Sequence, residues 1–313
     1  TMNRDTLART LPDLTYLSIF SHDARPTGRL ADIADSSIID AAWSGGAGPI
    51  MVVTNIKEGG NFDSGLASWL LTDEATRNRL IQNIVDTAVE KNYYGVDIDF
   101  ENVYGGDREA YNSFLRDLSE QLHANGLILT TAIAPKTSAN MKGILYEGHD
   151  YAAHGRYADR ITLMTYEWGY RYGEPQAVAP YNQVRRVLQY AVTEIPAGKI
   201  LMGIPNYGYD WVVGSSSPAT VVSNVGAINI AVQNNAQIFF DETSKTPYFN
   251  YRDGSGRRHE VWFEDARSIQ AKMDLVREFE LAGVSFWHIG TYFAQAWEVL
   301  TANFLVNKIR SPR

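Results

Sequence analysis

Tyr94-Gly95-Val96-Asp97-Ile98-Asp99-Phe100-Glu101 is the stretch on which the reading of this chain turns. Side chains on a strand alternate between its two faces. Gly95, Asp97, Asp99 and Glu101 therefore share one face, and Val96, Ile98 and Phe100 share the other. The apolar set suits a strand backed by helices. The acidic set then points to the opposite side, with Glu101 at the C-terminal end of the strand. In a parallel α/β barrel that end is the rim where catalysis sits. Three acids about 6–7 Å apart in a low-dielectric space cannot all ionise freely, so at least one is expected to keep its proton near neutral pH. A rim carboxylic acid that stays protonated can serve as the general acid of glycosidic bond cleavage. Two other readings of the same residues are a solvated acidic edge strand and a metal site. The first fits poorly with Val, Ile and Phe on the opposite face, and the second with the lack of an accompanying His cluster.

Similar apolar, β-rich runs recur on both sides. Strands are expected near 14–20, 49–54, 94–101, 127–134, 160–166, 199–205 and 283–288. Helical spacing of apolar residues fills 73–91, 107–124 (closed by Asn125-Gly126) and 180–194, which starts at Pro180 and is followed by Pro196. Most strand starts are roughly 33–45 residues apart, the length of one βα unit, so a parallel sheet with right-handed crossovers follows. The last gap is longer by about one small lobe. Within it, 237–263 alternates and contains Asp253-Gly254, a hairpin signal. The expectation is one catalytic α/β barrel of the (β/α)8 TIM type over 1–313, with an inserted α+β lobe at about 209–263 forming a cleft wall. Only seven strands can be counted. The eighth either lies before Thr1 or is disguised at the extreme N-terminus.

Composition bounds the partners. The chain has 313 residues, a formal charge of −8 and no cysteine. Disulfides, thiolate nucleophiles and Cys-ligated zinc are excluded, and nucleic acid is a poor electrostatic match. No apolar run reaches the roughly 18 residues of a membrane span. The N-terminus carries no hydrophobic signal segment, so a processed product or an excised fragment is expected. Gly45-Gly46-Ala47-Gly48 precedes a strand and does not open a helix, so it is no phosphate loop. Neither Ser nor His is arranged for triad chemistry. His22 could line the pocket, His288 reads as a core residue, and His259 as a solvated hairpin tip.

The spacing Gly-x-Asp-x-Asp-x-Glu at a strand end resembles glycoside hydrolase family 18, the chitinase-like enzymes, whose pattern is Asp-Gly-x-Asp-x-Asp-x-Glu. Tyr94 stands in the first Asp position. By parity it belongs to the outward set, so a small catalytic cost is expected. Met164-Thr165-Tyr166-Glu167 looks like the family's Met-x-Tyr-Asp strand end, with Glu for Asp, and Gly203-Ile204-Pro205-Asn206-Tyr207-Gly208 resembles its Gly-x-Pro-x-Tyr-Gly. Trp287 takes the place of the tryptophan that ends the last strand. The family's Ser-x-Gly-Gly is replaced by Thr54-Asn55-Ile56. TYLSIFSH, VVTNI, AIAPKTSA and MTYEWGY resemble one branch, the bacterial spore cortex-fragment-lytic N-acetylglucosaminidases, whose members often carry N-terminal LysM modules. None is present here.

The resemblance implies a retaining, substrate-assisted mechanism in which the sugar's own N-acetyl oxygen attacks the anomeric carbon and forms an oxazolinium intermediate. Glu101 is then the acid and later the base. Asp99 orients the acetamido nitrogen, Asp97 tunes Asp99, and Tyr166 positions the acetamido oxygen. Substrate contacts fall to Glu167, Trp287, Tyr207 and Asn55, and Trp168 and Trp211 either stack sugars or pack loops. The implied substrate is a GlcNAc-containing polysaccharide, with peptidoglycan of spore cortex or cell wall ahead of chitin. A non-catalytic glycan-binding lectin on the same scaffold is the alternative. No cofactor, no metal and no nucleic acid are expected, and the protein is expected to be a monomer at an extracellular, cell-wall or spore-associated location in a bacterium.

Overall fold

The computed structural model describes residues 3–310. It resolves into two compact units. The first gathers Leu14–Met164, Tyr190–Leu201 and the segment from Val306. The second gathers the residues up to Asp13, Thr165–Gln189 and Met202–Leu305.

The first unit is built on parallel strands β1 (Tyr16–Asp23), β2 (Gly48–Thr54), β5 (Gly95–Asp99), β6 (Ile128–Ile133) and β7 (Arg160–Leu163), each paired with the next. A short hairpin, β3 (Ile56–Lys57) with β4 (Asn61–Phe62), follows β2. Every residue of β2 and of β5 is buried, as both-face burial of a parallel sheet requires. Gly95 is needed where it stands, because a Cβ there would come within 2.4 Å of the Ile128 side chain on β6. Crossover helices cover the outer face. Helix Glu74–Glu90 starts at Asp73, whose carboxylate accepts from Thr76 N, and buries Leu80, Ile81, Ile84, Val85 and Ala88. Helix Arg108–Ala124 ends in a Schellman turn. Gly126, at φ 73°, lets the Leu127 N–H reach the Leu122 carbonyl. From that helix Tyr111 and Phe114 stack on Phe100, with ring centroids 6.0 and 5.9 Å away. The apolar face of the central strand thus meets helices, as its alternation predicts. Tyr94 packs among Tyr16 and Trp43 at 5.8 and 6.1 Å, which accounts for an aromatic ring in place of the family's first Asp.

Strand β8 (Ile200–Pro205) carries the chain from the first unit into the second. The second unit continues with β9 (Gly208–Val212), β10 (Thr220–Val222), β11 (Phe239–Asp241), β12 (Thr246–Arg252), β13 (Arg258–Trp262) and β14 (Gly283–Trp287). An antiparallel sheet orders five of these as β10-β9-β13-β12-β11. Helix Asn224–Gln233 contributes Ala227 and Ala231 to a small core with Val222, Phe249, Val261 and Phe263. The barrel sheet has the strand order β1-β2-β5-β6-β7-β8-β14. Arg4–Thr10 is an α-helix capped by Asn3, and Leu11–Asp13 is a 3-10 turn. An eighth strand disguised in the first residues is thereby excluded among the described residues, because that segment forms intrahelical hydrogen bonds instead.

Three histidine expectations change. His22 is fully buried, bonded to the Ala31 carbonyl, Asp35 and Tyr93, and it braces β1 where a pocket role had been considered. His259 is no solvated tip. It is buried between Asp210 (2.7 Å) and Asp253 (3.3 Å), because Asp210 lies on the same face of β9, two residues from Val212, the register partner of His259. His288 is exposed rather than core, and its Nδ1 accepts from Gly290 N.

Candidate active site

The acid column lies at the end of β5 in the first unit. Asp97 and Asp99 are 8% and 7% exposed, and Glu101, two residues further, is half-buried. Thr130 of β6, the register partner of Asp97, donates its hydroxyl to Asp97 Oδ1. Asp99 Oδ1 is buried without a hydrogen-bond partner in the protein. Burial pushes the Asp97 carboxyl up to about 6, against the opposing pull of Thr130. Asp99 is held well above the usual carboxylate range by burial, then by the neighbouring charges of Glu101 and Asp97. Burial also lifts Glu101 to about 7. A carboxyl with that affinity is about half protonated in neutral solution, so it can give a proton up and take one back within one catalytic cycle.

The β5 ladder ends at Asp99, so the peptide groups of Phe100 and Glu101 need partners from elsewhere. Asn55 and His149 supply them. Asn55 is fully buried. Its Oδ1 accepts from Glu101 N (2.9 Å), and its Nδ2 donates to the Glu101 carbonyl (2.9 Å) and the Asp63 carbonyl (3.0 Å). His149 Nδ1 accepts from Ala134 N (3.0 Å), which leaves Nε2 as the donor to the Phe100 carbonyl (3.0 Å). Burial depresses that imidazole to about 4, so it stays neutral and keeps this tautomer. Asn55, read from the sequence as a substrate contact, thus spends its amide on the Glu101 backbone.

The second unit holds the other candidates. Tyr166 packs against a cluster of Val178, Tyr207, Tyr209, Trp211 and Ala219. Glu167, at φ 66°, is exposed as a residue, yet its carboxylate is taken by two phenols. Tyr207 donates to Oε1, and Tyr209 lies 3.0 and 3.1 Å from Oε1 and Oε2. Burial raises the Glu167 carboxyl, with the two phenols pulling the other way. Trp211 is a packing residue of this cluster. Trp168 is tied by its backbone, N–H to the Val178 carbonyl and C=O to Gln176 Nε2. Trp287 ends β14 with 39% exposure, and its carbonyl accepts from Asn206 N at 2.7 Å. The Asn206 amide donates to the carbonyls of His288 and Thr291, both at 2.9 Å, fixing the turn after Trp287.

The structure therefore groups Asn55, Asp97, Asp99 and Glu101 in one unit, and Tyr166, Glu167 and Tyr207 in the other, with Trp287 anchored there through Asn206. Sequence reasoning missed Thr130, His149, Tyr209 and Asn206. Tyr209 carried a signal, since it lies two residues from Tyr207, one strand period away. His149 carried none, because its partners are remote in sequence.

A column of buried acids ending on a half-buried glutamate, at the C-terminal end of a parallel strand, is an arrangement that can hold a protonated carboxyl for general-acid chemistry. The family model of glycosyl hydrolases family 18 matches residues 53–291, and the chain belongs to that family and is a glycoside hydrolase. It is 47% identical over 300 residues to the cortical fragment-lytic enzyme of Bacillus subtilis (strain 168), covering 95% of this chain and 69% of that relative. It is 34% identical over 311 residues to the putative sporulation-specific glycosylase YdhD of the same organism, covering 98% of this chain and 73% of that relative. Among solved structures, the Bacillus cereus spore cortex-lytic enzyme SleL superposes with a TM-score of 0.94 at 42% identity, covering 97% of this chain and 71% of that one. A chitinase from Chromobacterium violaceum ATCC 12472 gives 0.90 at 28% identity, covering 96% and 94%. The barrel sheet is accordingly that of a TIM-type, chitinase-like fold.

Proposed function

We propose that this glycoside hydrolase cleaves β-1,4 bonds in the GlcNAc-containing glycan strands of spore-cortex peptidoglycan, with chitin as the weaker substrate. The observation that carries the chemistry is the Glu101 carboxyl, lifted to about 7 by burial at the end of an acid column. A group so poised donates a proton to the departing glycosidic oxygen at neutral pH and, once ionised, withdraws one from the incoming water. The substrate's acetamido oxygen forms the covalent bond to the anomeric carbon, so no protein nucleophile is required. Asp99 faces the developing positive charge on the acetamido nitrogen, and its unpartnered Oδ1 is a ready acceptor for that N–H. Asp97, with Thr130, keeps Asp99 supplied with either a proton or a charge. Tyr166 is assigned to the acetamido oxygen, Glu167 and Tyr207 to sugar hydroxyls, and Trp287 to the apolar face of a pyranose ring.

The choice of cortex rests on the relatives, two of which are named for lysis of spore cortex or its fragments. Spore association and action as a monomer follow in the same reading. Among the described residues no helix is long and apolar enough to cross a membrane. The test is product analysis by mass spectrometry on purified cortex fragments and on chitin oligomers. Products ending in GlcNAc from cortex, with turnover abolished in Glu101→Gln and a rate that falls as pH rises through about 7, support the reading. Turnover confined to chitin overturns the substrate, and a fully active Glu101→Gln overturns the mechanism.

A further inference from the structure

Glu101 stands beyond the last ladder hydrogen bond of its strand, where nothing in the sheet holds its backbone. The residue that follows it, Asn102, has φ 56°, so the chain turns sharply away at once. Both backbone polar groups of Glu101 are nevertheless held by one fully buried side chain, that of Asn55. We propose that Asn55 is a positioning residue for Glu101, closing a two-way amide bridge to its N–H and C=O, with His149 fixing the preceding Phe100 carbonyl. This rests on the assignment of Glu101 as the acid. The bridge works as one extra rung of sheet, with the Asn55 side chain imitating the backbone of a neighbouring strand.

The bridge is itself braced. Asn55 Nδ2 also reaches the Asp63 carbonyl, and the Asp63 N–H returns to the Asn55 carbonyl at 3.0 Å. Asp63 caps helix Ser64–Thr72 through Leu66 N and pairs with Lys57, so the short β3–β4 hairpin is closed on Asn55. The orientation of the amide leaves no alternative, because an N–H of Glu101 faces its oxygen and two carbonyls face its nitrogen. Asn55 has no exposure for touching a glycan, so its effect passes through Glu101. Misplacement of a catalytic group by about 1 Å can cost on the order of 100-fold in rate.

The experiment measures kcat and KM on a 4-nitrophenyl chito-oligosaccharide, well below the unfolding midpoint, for Asn55→Ala, Asn55→Asp, His149→Leu and His149→Gln. Leu118→Ala, a buried change in the helix behind the sheet, serves as a control for lost stability. Asn55→Ala is expected to lower kcat by about 10–100-fold with KM changed less than about threefold. Asn55→Asp keeps the shape and the acceptor but loses both donors, and it is expected to lose at least about fivefold in kcat. His149→Leu should lose about tenfold, whereas His149→Gln, which retains a donor for the Phe100 carbonyl, should stay within about threefold of the parent. Leu118→Ala should lower the midpoint and leave kcat unchanged. If Glu101→Gln is inactive while Asn55→Ala and Asn55→Asp turn over like the parent, the positioning role is overturned and the acid assignment stands. If Glu101→Gln is itself active, the acid assignment falls and takes the positioning role with it. Equal kcat losses in Leu118→Ala and Asn55→Ala also overturn it, since general destabilisation then suffices.

Discussion

Thr130 donates its hydroxyl to Asp97 from the position directly paired with it on the next strand. That bond holds the Asp97 carboxyl below the level that burial alone would set. Thr130→Val removes the hydroxyl and keeps the shape. The Asp97 carboxyl then moves up, the first charge on the Asp97–Asp99 pair appears at higher pH, and the acid limb of the pH–rate profile shifts upward. Turnover at pH 6 should fall by about threefold to tenfold. A profile that superposes on the parent's would remove Asp97 from the chemistry.

Glu101→Gln should separate activity from stability. The Glu101 carboxyl sits at about 7 in the folded protein, above its ordinary 4.5, so the folded state binds the proton more tightly than the unfolded one. Its contribution to stability is present below about 4.5 and is lost as pH rises to about 7. The variant carries no such charge. It should equal the parent near pH 4 and exceed it at pH 8 by about 2 kcal/mol, allowing for solvent at a half-buried group. Chemical denaturation at the two pH values reads this directly, and a difference independent of pH would contradict the burial argument.

Tyr207 and Tyr209 both donate to Glu167. Replacing either with Phe leaves the carboxylate one phenol, and replacing both leaves none. Hydrogen bonds to a charged group are worth about 1.5–3 kcal/mol each. Each single variant should lower kcat/KM by about threefold to tenfold, and the pair by more than either alone. Since the phenols pull the Glu167 carboxyl down, their loss raises it, and the double variant should lose more activity at pH 5 than at pH 8.

His259→Ala strips Asp210 of its 2.7 Å partner and leaves it only the Tyr251 hydroxyl, also at 2.7 Å. Removing one member of a buried pair costs about 3–5 kcal/mol at full burial. Both side chains keep about a tenth of their surface exposed, and Tyr251 still holds Asp210, so a loss of about 2 kcal/mol and a Tm lower by roughly 4 °C are expected. Calorimetry with unchanged Tm would show that the lobe does not depend on the His259–Asp210 bond.

The barrel strands were legible because burial of both faces leaves long apolar runs, and those around 49–54 and 127–134 lie where β2 and β6 form. One helix end was legible from its cap: Asn125-Gly126 closes the helix as those residue types favour. His259 was misread because charges flank it in Arg257-Arg258-His259, while the partner that buries it, Asp210, comes from a strand 49 residues away. The bonds of Asn55 to the Glu101 backbone were not legible, since nothing local to Thr54-Asn55-Ile56 points toward residue 101.

Alternation with a period of two put Asp97, Asp99 and Glu101 on one face and Phe100 on the other, and no tertiary contact was needed to know it. The expectation of an acid column and the resemblance to the family follow from that spacing. What the order of residues could not state is which side chains complete the backbone after the strand stops. Glu101 is held from 46 residues away and Phe100 from 49, by Asn55 and His149. Those bonds exist only once separate βα units have closed on one another, because a hydrogen bond is set by distance in space and carries no mark in the intervening chain.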